Sequence, residues 1–279
     1  MDLLNFKRNV FSQNGEDGII EKIFEEIGIQ DKTCCEFGAW DGVHLCNVRN
    51  LIINRGWYGV LIEGNPSKFS QIKQNYDPDQ YCAINSFVDD GSNSLDRLLD
   101  KCEKIKNKDI DFLSVDIDGL DHLILEALTI KPRVICIEAS AGHAPDSYNE
   151  IPEKIAKENV GQSLGYFTKI AKKKGYSLVC YTGNAFFVRS EIVSNSKLTE
   201  ISPEEAYKDF LKHLPKEGKE WLYLVNVGQV PPFYSHNNHY LDYKELGFSD
   251  LELKELKKKG YSPINKYLFK IKSRIKKIF

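Results

Sequence analysis

Acidic side chains follow two short apolar segments that are typical of buried strands. Asp116 and Asp118 come directly after Phe-Leu-Ser-Val, and Glu138 comes directly after Ile-Cys-Ile. A charge at the end of such a segment needs a partner, because burying it alone is costly. Carboxylates in this arrangement can hold a hard divalent cation or take a proton from a substrate hydroxyl. The sequence therefore predicts a divalent-cation site formed by Asp116, Asp118 and Glu138.

The same acidic segment is a candidate for acid–base catalysis. We predict Asp116, Asp118 and His143, which lies in the loop after Glu138, as catalytic residues. A structural alternative exists for Asp118, because an aspartate in this position can cap the next helix. Capping does not explain Asp116, which directly follows the apolar segment.

A glycine-containing turn follows an earlier apolar segment. Gly38 lies two residues after Glu36, and glycine lets the backbone approach a ligand closely. Glu63 ends the next apolar segment about 25 positions later, which is typical of an acid that binds the ribose hydroxyls of a nucleoside. Taken alone, an ordinary tight turn would account for Gly38, and a solvated position in a loop would account for Glu63. Together they predict a nucleoside site, although the spacing is not Gly-x-Gly-x-x-Gly.

Residues 85–90 follow a third apolar segment and admit two interpretations. An amide or acid there can bind the edge of adenine, and Phe87 can cover its face. Equally, Phe87 can belong to the core, with Asp89-Asp90-Gly91 forming a turn. The sequence leaves both interpretations open.

All of these side chains lie at the ends of predicted strands. Strands are predicted over residues 33–38, 58–63, 81–88, 110–116 and 133–138, and helices over 15–28, 46–55, 67–76, 93–104, 120–129 and 163–174. This alternation predicts a parallel sheet covered by helices, with its ligand beyond the carboxyl ends of the strands. The apolar segments on either side of Gly183 and Asn184 predict an antiparallel pair over 177–191.

The chain divides into a core and an extension. We predict a core over residues 1–194 and a C-terminal extension over 195–279, with 195–250 less regular and 234–240 forming a loop or lid. The tail over 264–279 is basic and amphipathic. Such a tail can lie on an anionic membrane, or it can pack on the domain as a terminal helix with a solvated basic face.

Composition excludes several classes of protein. Of 279 residues, 42% are hydrophobic and 28% charged, which excludes intrinsic disorder, collagen and coiled coil. The formal net charge of −2 argues against a protein that coats nucleic acid. No apolar run approaches the roughly 18–20 residues that span a bilayer, and no secretory signal is expected. The seven scattered cysteines, without a Cys-x-x-Cys pair, predict reduced core thiols in a cytoplasmic protein and no zinc site.

Taken as an ordered set, five segments of the chain resemble the FkbM-like methyltransferases. They are residues 11–18 (FSQNGEDG), 36–42 (EFGAWDG), 59–64 (GVLIEG), 111–119 (DFLSVDIDG) and 184–188 (NAFFV). The resemblance covers roughly residues 11–190. It implies a class I methyltransferase that uses S-adenosylmethionine (SAM). It also implies an α/β, Rossmann-like, doubly wound and mostly parallel seven-stranded sheet with an antiparallel last strand.

The resemblance also implies roles for individual residues. Glu36 and Gly38 match the first SAM motif, Glu63 matches the ribose-binding acid, and Asp116 matches the acid near the methyl group. The full predicted set of cofactor-binding residues is Gln13, Glu16, Glu36, Gly38, Glu63, Phe87 and Asp116. Asp118 and Trp40 stand where the family more often has glutamate and asparagine, which indicates a subgroup.

The expected reaction is O-methylation of a sugar-containing small molecule, such as a sugar nucleotide or a precursor of a surface glycan or capsular polysaccharide. A polar, aromatic lid would contribute Tyr234, His236, His239 and Tyr240. A natural-product or amine acceptor and a non-catalytic nucleoside-binding protein remain alternatives. A nicotinamide oxidoreductase would require the Gly-x-Gly-x-x-Gly spacing that is absent here.

Overall fold

The computed structural model describes residues 1–105, 110–117, 121–150, 161–229 and 238–259. Its strands form one seven-stranded sheet with the order β3-β2-β1-β4-β5-β7-β6. Strands β1 to β5 run parallel, and β7 is antiparallel to both of its neighbours. The strands are β1 Thr33–Phe37, β2 Tyr58–Glu63, β3 Tyr81–Asn85, β4 Phe112–Val115, β5 Val134–Glu138, β6 Tyr176–Tyr181 and β7 Asn184–Arg189. This topology confirms the predicted fold class, including the antiparallel last strand.

Helices cover both faces of the sheet. In the described residues they are α1 Glu16–Ile27, α2 Arg49–Arg55, α3 Pro66–Asn75, α4 Leu95–Leu99, α5 Asp121–Ala127, α6 Leu164–Lys173, α7 Ser190–Ser194, α8 Pro203–His213, α9 Lys216–Asn226 and α10 Asp250–Lys259. Single 3-10 turns occupy Leu3–Phe6 and Pro78–Gln80. Helices α1 to α3 pack on one face, and α4, α5, α6, α8 and α9 pack on the other.

The strands are buried on both faces, which explains their continuous apolar segments. Successive side chains alternate between the two layers: Cys34 and Leu61 face one cluster, and Cys35 and Val60 face the other. Parallel sheets covered by helices on both sides have this pattern. The sheet therefore gives a rigid frame whose carboxyl edge carries the loops of interest.

An internal ion pair fixes the amino edge of the sheet. Asp111 is fully buried and accepts backbone N–H bonds from Gln30, Asp31 and Lys32. The guanidinium of Arg133 donates to the same carboxylate at 2.8 Å. Arg133 also donates to the carbonyl oxygens that end α1. The pair therefore holds the chain between α1 and β1 against β4 and β5.

Several predicted elements are shorter in the structure, β3 and α4 among them. Strand β3 ends at Asn85 instead of residue 88, because the Asn85 amide and the Ser86 N–H both donate to the Glu63 carbonyl oxygen and turn the chain. Helix α4 covers five residues instead of 93–104, and Ser94 makes no side-chain capping bond.

The prediction that every cysteine is a reduced thiol is wrong for one pair. Cys82 in β3 and Cys102, shortly after α4, form a disulfide. The two cysteines lie 20 residues apart in the sequence, and no short motif predicts their pairing. They meet because the chain returns from β3 through α4. The other five cysteines are free and buried.

Residues beyond 194 are more regular than predicted, since α8, α9 and α10 lie there. Ser202 and Glu205 form a capping box at the start of α8. Tyr207 and Phe210 of this helix pack against Tyr181 of β6, with ring centroids 6.2 and 4.9 Å away. This part of the chain therefore shares the core of the sheet. No helix in the described ranges is long and apolar enough to cross a membrane.

Candidate active site

The carboxyl ends of β1 to β5 meet along one edge of the sheet because these strands are parallel. The predicted site residues follow these strand ends. Loops at this edge rest on the rigid sheet and face solvent. In open α/β sheets, ligands usually bind at this edge.

Gly38 allows β1 and β4 to approach each other closely at this edge. Its φ of +74° lies in the left-handed region, and a Cβ atom built there would lie 1.8 Å from the carbonyl oxygen of Asp116. No other residue type fits without moving the strands apart. The glycine of the predicted SAM motif is therefore required by a backbone contact within the chain.

Glu63 joins the loop that follows β1 to the turn that follows β2. Its carboxylate accepts the N–H of Trp40 at 2.8 Å and the N–H of Asn65 at 2.7 Å, one on each oxygen. Each carboxylate oxygen has a second lone pair available, so the group can still accept hydroxyl donors. Glu63 is 8% exposed at the end of β2. Its position and remaining acceptor capacity suit a pair of ribose hydroxyls.

Phe87 is not part of the core. It is 75% exposed, and its ring lies over Gly64, where a Cβ atom would approach a ring carbon to 2.3 Å. Asp89 accepts the N–H groups of Gly91 and Asn93, so the predicted turn is present as well. An exposed aromatic face therefore lies beside the residue that follows Glu63.

Glu36 lies in β1, and its buried carboxylate binds the loop that follows the strand. Its carboxylate accepts the thiol of Cys46 at 2.7 Å and the N–H of Asn47 at 2.9 Å. The Asn47 amide in turn donates to Ser114 of β4. Burial raises the pKa of Glu36, against the lowering effect of these hydrogen bonds. These contacts fix the shape of the loop that carries Gly38.

Glu16 and Asp17, in the first turn of α1, hold the segment that precedes this helix. Glu16 accepts the N–H groups of Gln13 and Asn14, and its other oxygen accepts Thr182 and Asn184 of the β6–β7 hairpin at 3.1 Å. Asp17 accepts three further N–H groups, from residues 10–12. Both acids are buried, whereas Gln13 is exposed. The motif therefore joins the N-terminal loop to the far side of the sheet.

Asp116 and Glu138 follow neighbouring strands and are exposed. Because Val115 pairs with Ile137, these two acids are the next residues at the same level of the sheet. The sequence-based expectation of a buried charge at Glu138 is wrong, since the strand ends there at the surface. Two of the three carboxylates of the predicted cation site thus lie at the ends of neighbouring strands.

Asp118 lies outside the described residues, so its predicted metal-binding and catalytic roles stay predictions. Within the described ranges, no group of three or more His, Cys, Asp or Glu side chains has the geometry to hold a metal ion.

His143 and the C-terminal segment meet at the loop after β5. The carbonyl oxygen of His143 accepts the amide of Asn238 at 3.0 Å, and that amide also donates to the Tyr207 hydroxyl. His239 approaches Asp146 of the same loop to 3.4 Å, and its ring lies against Tyr240. Two residues of the predicted lid, His239 and Tyr240, therefore contact this edge. Tyr234, His236 and the basic tail over 264–279 lie outside the described residues.

The strand order decides the fold type. Strand β7 is inserted antiparallel between β5 and β6, and β1 to β5 keep the order β3-β2-β1-β4-β5. The chain has the Rossmann-like methyltransferase fold. Sequence comparison adds no family, because neither a protein-family model nor a curated protein matches the chain.

Solved structures that resemble this methyltransferase fold are distant. One is a chain from the Haloferax volcanii complex of the Trm112 methyltransferase activator (10% identity, 63% of this chain and 90% of that chain, TM-score 0.40). A SAM-dependent methyltransferase from Aquifex aeolicus matches at 14% identity over 61% of this chain and 88% of that chain, with TM-score 0.36. TrmK from M. capricolum in complex with S-adenosyl-homocysteine matches at 14% identity over 81% of this chain and 89% of that chain, also with TM-score 0.36. The fold assignment rests on the strand order and not on these scores.

Sequence reasoning missed one pair of residues at this edge of the methyltransferase fold. Trp40 has a φ of +50°, which is unusual for a bulky residue and costs roughly 1–2 kcal/mol. Its indole is 49% exposed, and the ammonium of Lys68 lies 4.1 Å from the ring centroid. The signal in the sequence was Trp40 itself, which stands where the FkbM-like sequences that this segment resembles more often have asparagine.

Proposed function

We propose that the chain is a SAM-dependent O-methyltransferase of the FkbM-like type. Its acceptor would be a hydroxyl of a sugar-containing small molecule such as a sugar nucleotide or a surface-glycan precursor. The observation that carries the proposal is Glu63 at the end of β2, with the exposed ring of Phe87 beside it. An acid and an aromatic face in adjacent loops at the carboxyl edge suit a nucleoside.

The residues present fit the adenosine part of SAM. Glu63 retains lone pairs on both oxygens for ribose hydroxyls, after accepting Trp40 and Asn65. Phe87 offers a face on which a base can stack. Glu16 and Glu36 would act indirectly, because they accept more groups of the chain than Glu63 does. Glu16 accepts four donors. Glu36 has three partners, Cys46, Asn47 and Ser114.

When bound, SAM supplies a methyl group that its sulfonium already activates. The chain then has to align the acceptor hydroxyl and remove its proton. Asp116 is exposed at the end of β4, and Glu138 stands beside it at the end of β5. We assign Asp116 the role of proton acceptor, with Glu138 keeping this point of the edge negative. A divalent cation held by Asp116, Asp118 and Glu138 would serve the same purpose by polarising the hydroxyl oxygen.

The acceptor class is supported by two features. The five segments quoted above resemble enzymes that often methylate hydroxyl groups in glycan and natural-product pathways. His239 and Tyr240 also lie against the loop after β5, where Asp146 is 3.4 Å from His239. Aromatic and imidazole groups beside a carboxylate are suited to a polar ring.

Calorimetry with SAM and with NAD tests the cofactor. We expect SAM to bind and NAD not to compete. Glu63→Ala should weaken SAM binding at least tenfold, because each ribose hydroxyl loses a charged acceptor worth roughly 1.5–3 kcal/mol. Glu25→Ala, an exposed acid on α1, is the control. NAD binding in preference to SAM, or an affinity unchanged by Glu63→Ala, would contradict the proposal.

Mass spectrometry tests the acceptor. The protein is incubated with SAM and a panel of sugar nucleotides, and the position of any gained methyl group is mapped. Transfer to a sugar hydroxyl is expected, whereas transfer only to amines, protein or nucleic acid would reject the acceptor class. Exhaustive chelation in the same assay tests the cation, since full activity after chelation would remove it from the mechanism.

A further inference from the structure

Trp40 adopts an unfavourable backbone conformation without burying its side chain. Its φ is +50°, yet almost half of the indole surface remains exposed. Strain of this kind persists where the surrounding structure imposes it, and it concentrates at functional positions. The strained backbone places the Trp40 N–H on Glu63 at 2.8 Å and leaves the indole outside the loop.

The positively charged ammonium of Lys68 lies over this exposed indole. Lys68 lies in the first turn of α3, with its ammonium 4.1 Å from the centre of the Trp40 ring. The ammonium donates one long hydrogen bond, to Gln71 at 3.4 Å. In the described ranges, no carboxylate comes within 4 Å of the ammonium, and Asp41 interacts with it electrostatically from a greater distance. Lys68 therefore has donors left for an anionic group.

The loop that carries Trp40 is firmly held. The carboxylate of Asp41 accepts the N–H groups of Val43 and His44 at 2.9 and 2.7 Å. Asn75 of α3 donates to the carbonyl oxygen of Asp41. The indole and the ammonium are thus presented by two elements that are tied to each other, directly beside Glu63.

We infer that Trp40 and Lys68 form a subsite for the phosphate-bearing part of the methyl acceptor. The ring of a sugar or base would lie on the indole, and the phosphate would bind the Lys68 ammonium. The only anionic group of SAM is its carboxylate. Lys68→Met separates the two anions, because it weakens SAM binding if the ammonium holds that carboxylate and leaves SAM binding unchanged if the ammonium holds a phosphate of the acceptor. The chemistry selects a sugar nucleotide or sugar phosphate over an uncharged sugar. This inference rests on the proposed methyltransferase function and names the acceptor chemistry.

Three variants test the subsite. Trp40→Asn removes the indole and relieves the backbone, because asparagine tolerates the left-handed region. Lys68→Met removes the charge and keeps an unbranched side chain against the ring. Leu45→Asn is the matched control, because Leu45 has a φ of +59° and is 37% exposed in the same loop. Thermal melting of each variant verifies that it folds.

Binding is measured by calorimetry with UDP-glucose, GDP-mannose, glucose 1-phosphate and glucose, and separately with SAM. At least one phosphorylated ligand should bind the unaltered chain, and Trp40→Asn and Lys68→Met should each weaken it roughly tenfold. SAM affinity should stay within about twofold in all variants.

The subsite is refuted if no phosphorylated ligand binds, if glucose binds as well as they do, or if Leu45→Asn has the same effect as Trp40→Asn. It is also refuted if Lys68→Met weakens SAM binding as much as it weakens binding of the phosphorylated ligand. Failure of the unaltered chain to bind SAM would instead refute the proposed function, independently of the sugar-nucleotide result.

Discussion

Gly38→Ala offers a stringent test of the packing at the candidate active site. The substitution places a methyl group where the Asp116 carbonyl oxygen is 1.8 Å away, and real Cβ atoms essentially never come within 3.0 Å of a neighbour. Because that oxygen belongs to the backbone, the clash cannot be relieved by a side-chain rotation. The ends of β1 and β4 would have to separate next to the pair Phe37 and Val115.

The expected loss of stability has two parts. Alanine at a positive φ costs about 1–2 kcal/mol on its own. Separating the strand ends weakens one or two ladder hydrogen bonds, each worth about 1 kcal/mol, and opens the adjacent core. We therefore expect Gly38→Ala to lower the free energy of unfolding by about 3–5 kcal/mol.

Gly56→Ala is the matched control. Gly56 ends α2 with a φ of +66°, close to the +74° of Gly38, but a Cβ atom there has no neighbour within 4 Å. Only the conformational cost of about 1–2 kcal/mol applies to it. Urea denaturation followed by circular dichroism measures both variants. Equal losses would refute the close approach of β1 to β4, and unchanged SAM binding in folded Gly38→Ala would refute its importance for the site.

Three further predictions concern buried groups of the chain. Arg133→Met should lower the free energy of unfolding by about 3–5 kcal/mol, since it leaves Asp111 charged and buried, and a double variant that also carries Asp111→Asn should recover part of that loss in urea titrations. Alkylation of the unfolded, unreduced chain should label five of its seven cysteines and spare Cys82 and Cys102, and reduction should lower stability by roughly 3 kcal/mol. Burial raises the pKa of Glu36 above 4.5, so the folded chain holds that proton more tightly than the unfolded chain. Its contribution to stability should therefore fall as pH rises from about 4.5 through the raised pKa, and Glu36→Gln should flatten that part of the curve of stability against pH.

The strands and most helices were predictable because their signals are local. The segment that forms β2, for example, is apolar from Tyr58 to Ile62, and a two-sided buried strand requires only that composition. The hairpin of β6 and β7 was predictable because Gly183 marks a turn between two such segments. Helix α8 was missed although its capping box at Ser202 is also a local signal.

Contacts between distant parts of the chain could not be predicted from spacing. Glu16 binds Thr182 and Asn184, which lie 166 and 168 positions away. Cys82 and Cys102 meet only because α4 returns the chain toward β3. The residue types at these positions were noticed, but their partners depend on the packing of the whole sheet.

The predicted cofactor residues fall into two physical groups. Glu16 and Glu36 are buried, and their oxygens accept groups of the chain itself. Phe87 and Asp116 are exposed at the edge of the sheet, and Glu63, although buried, accepts only two N–H groups of the chain and keeps a lone pair on each oxygen. A sequence motif does not separate these groups, because an acid that shapes a loop and an acid that binds a ligand lie at similar distances from the same strand ends. The number of hydrogen-bond partners within the chain separates them, and the ligand contacts that we propose therefore belong to the second group.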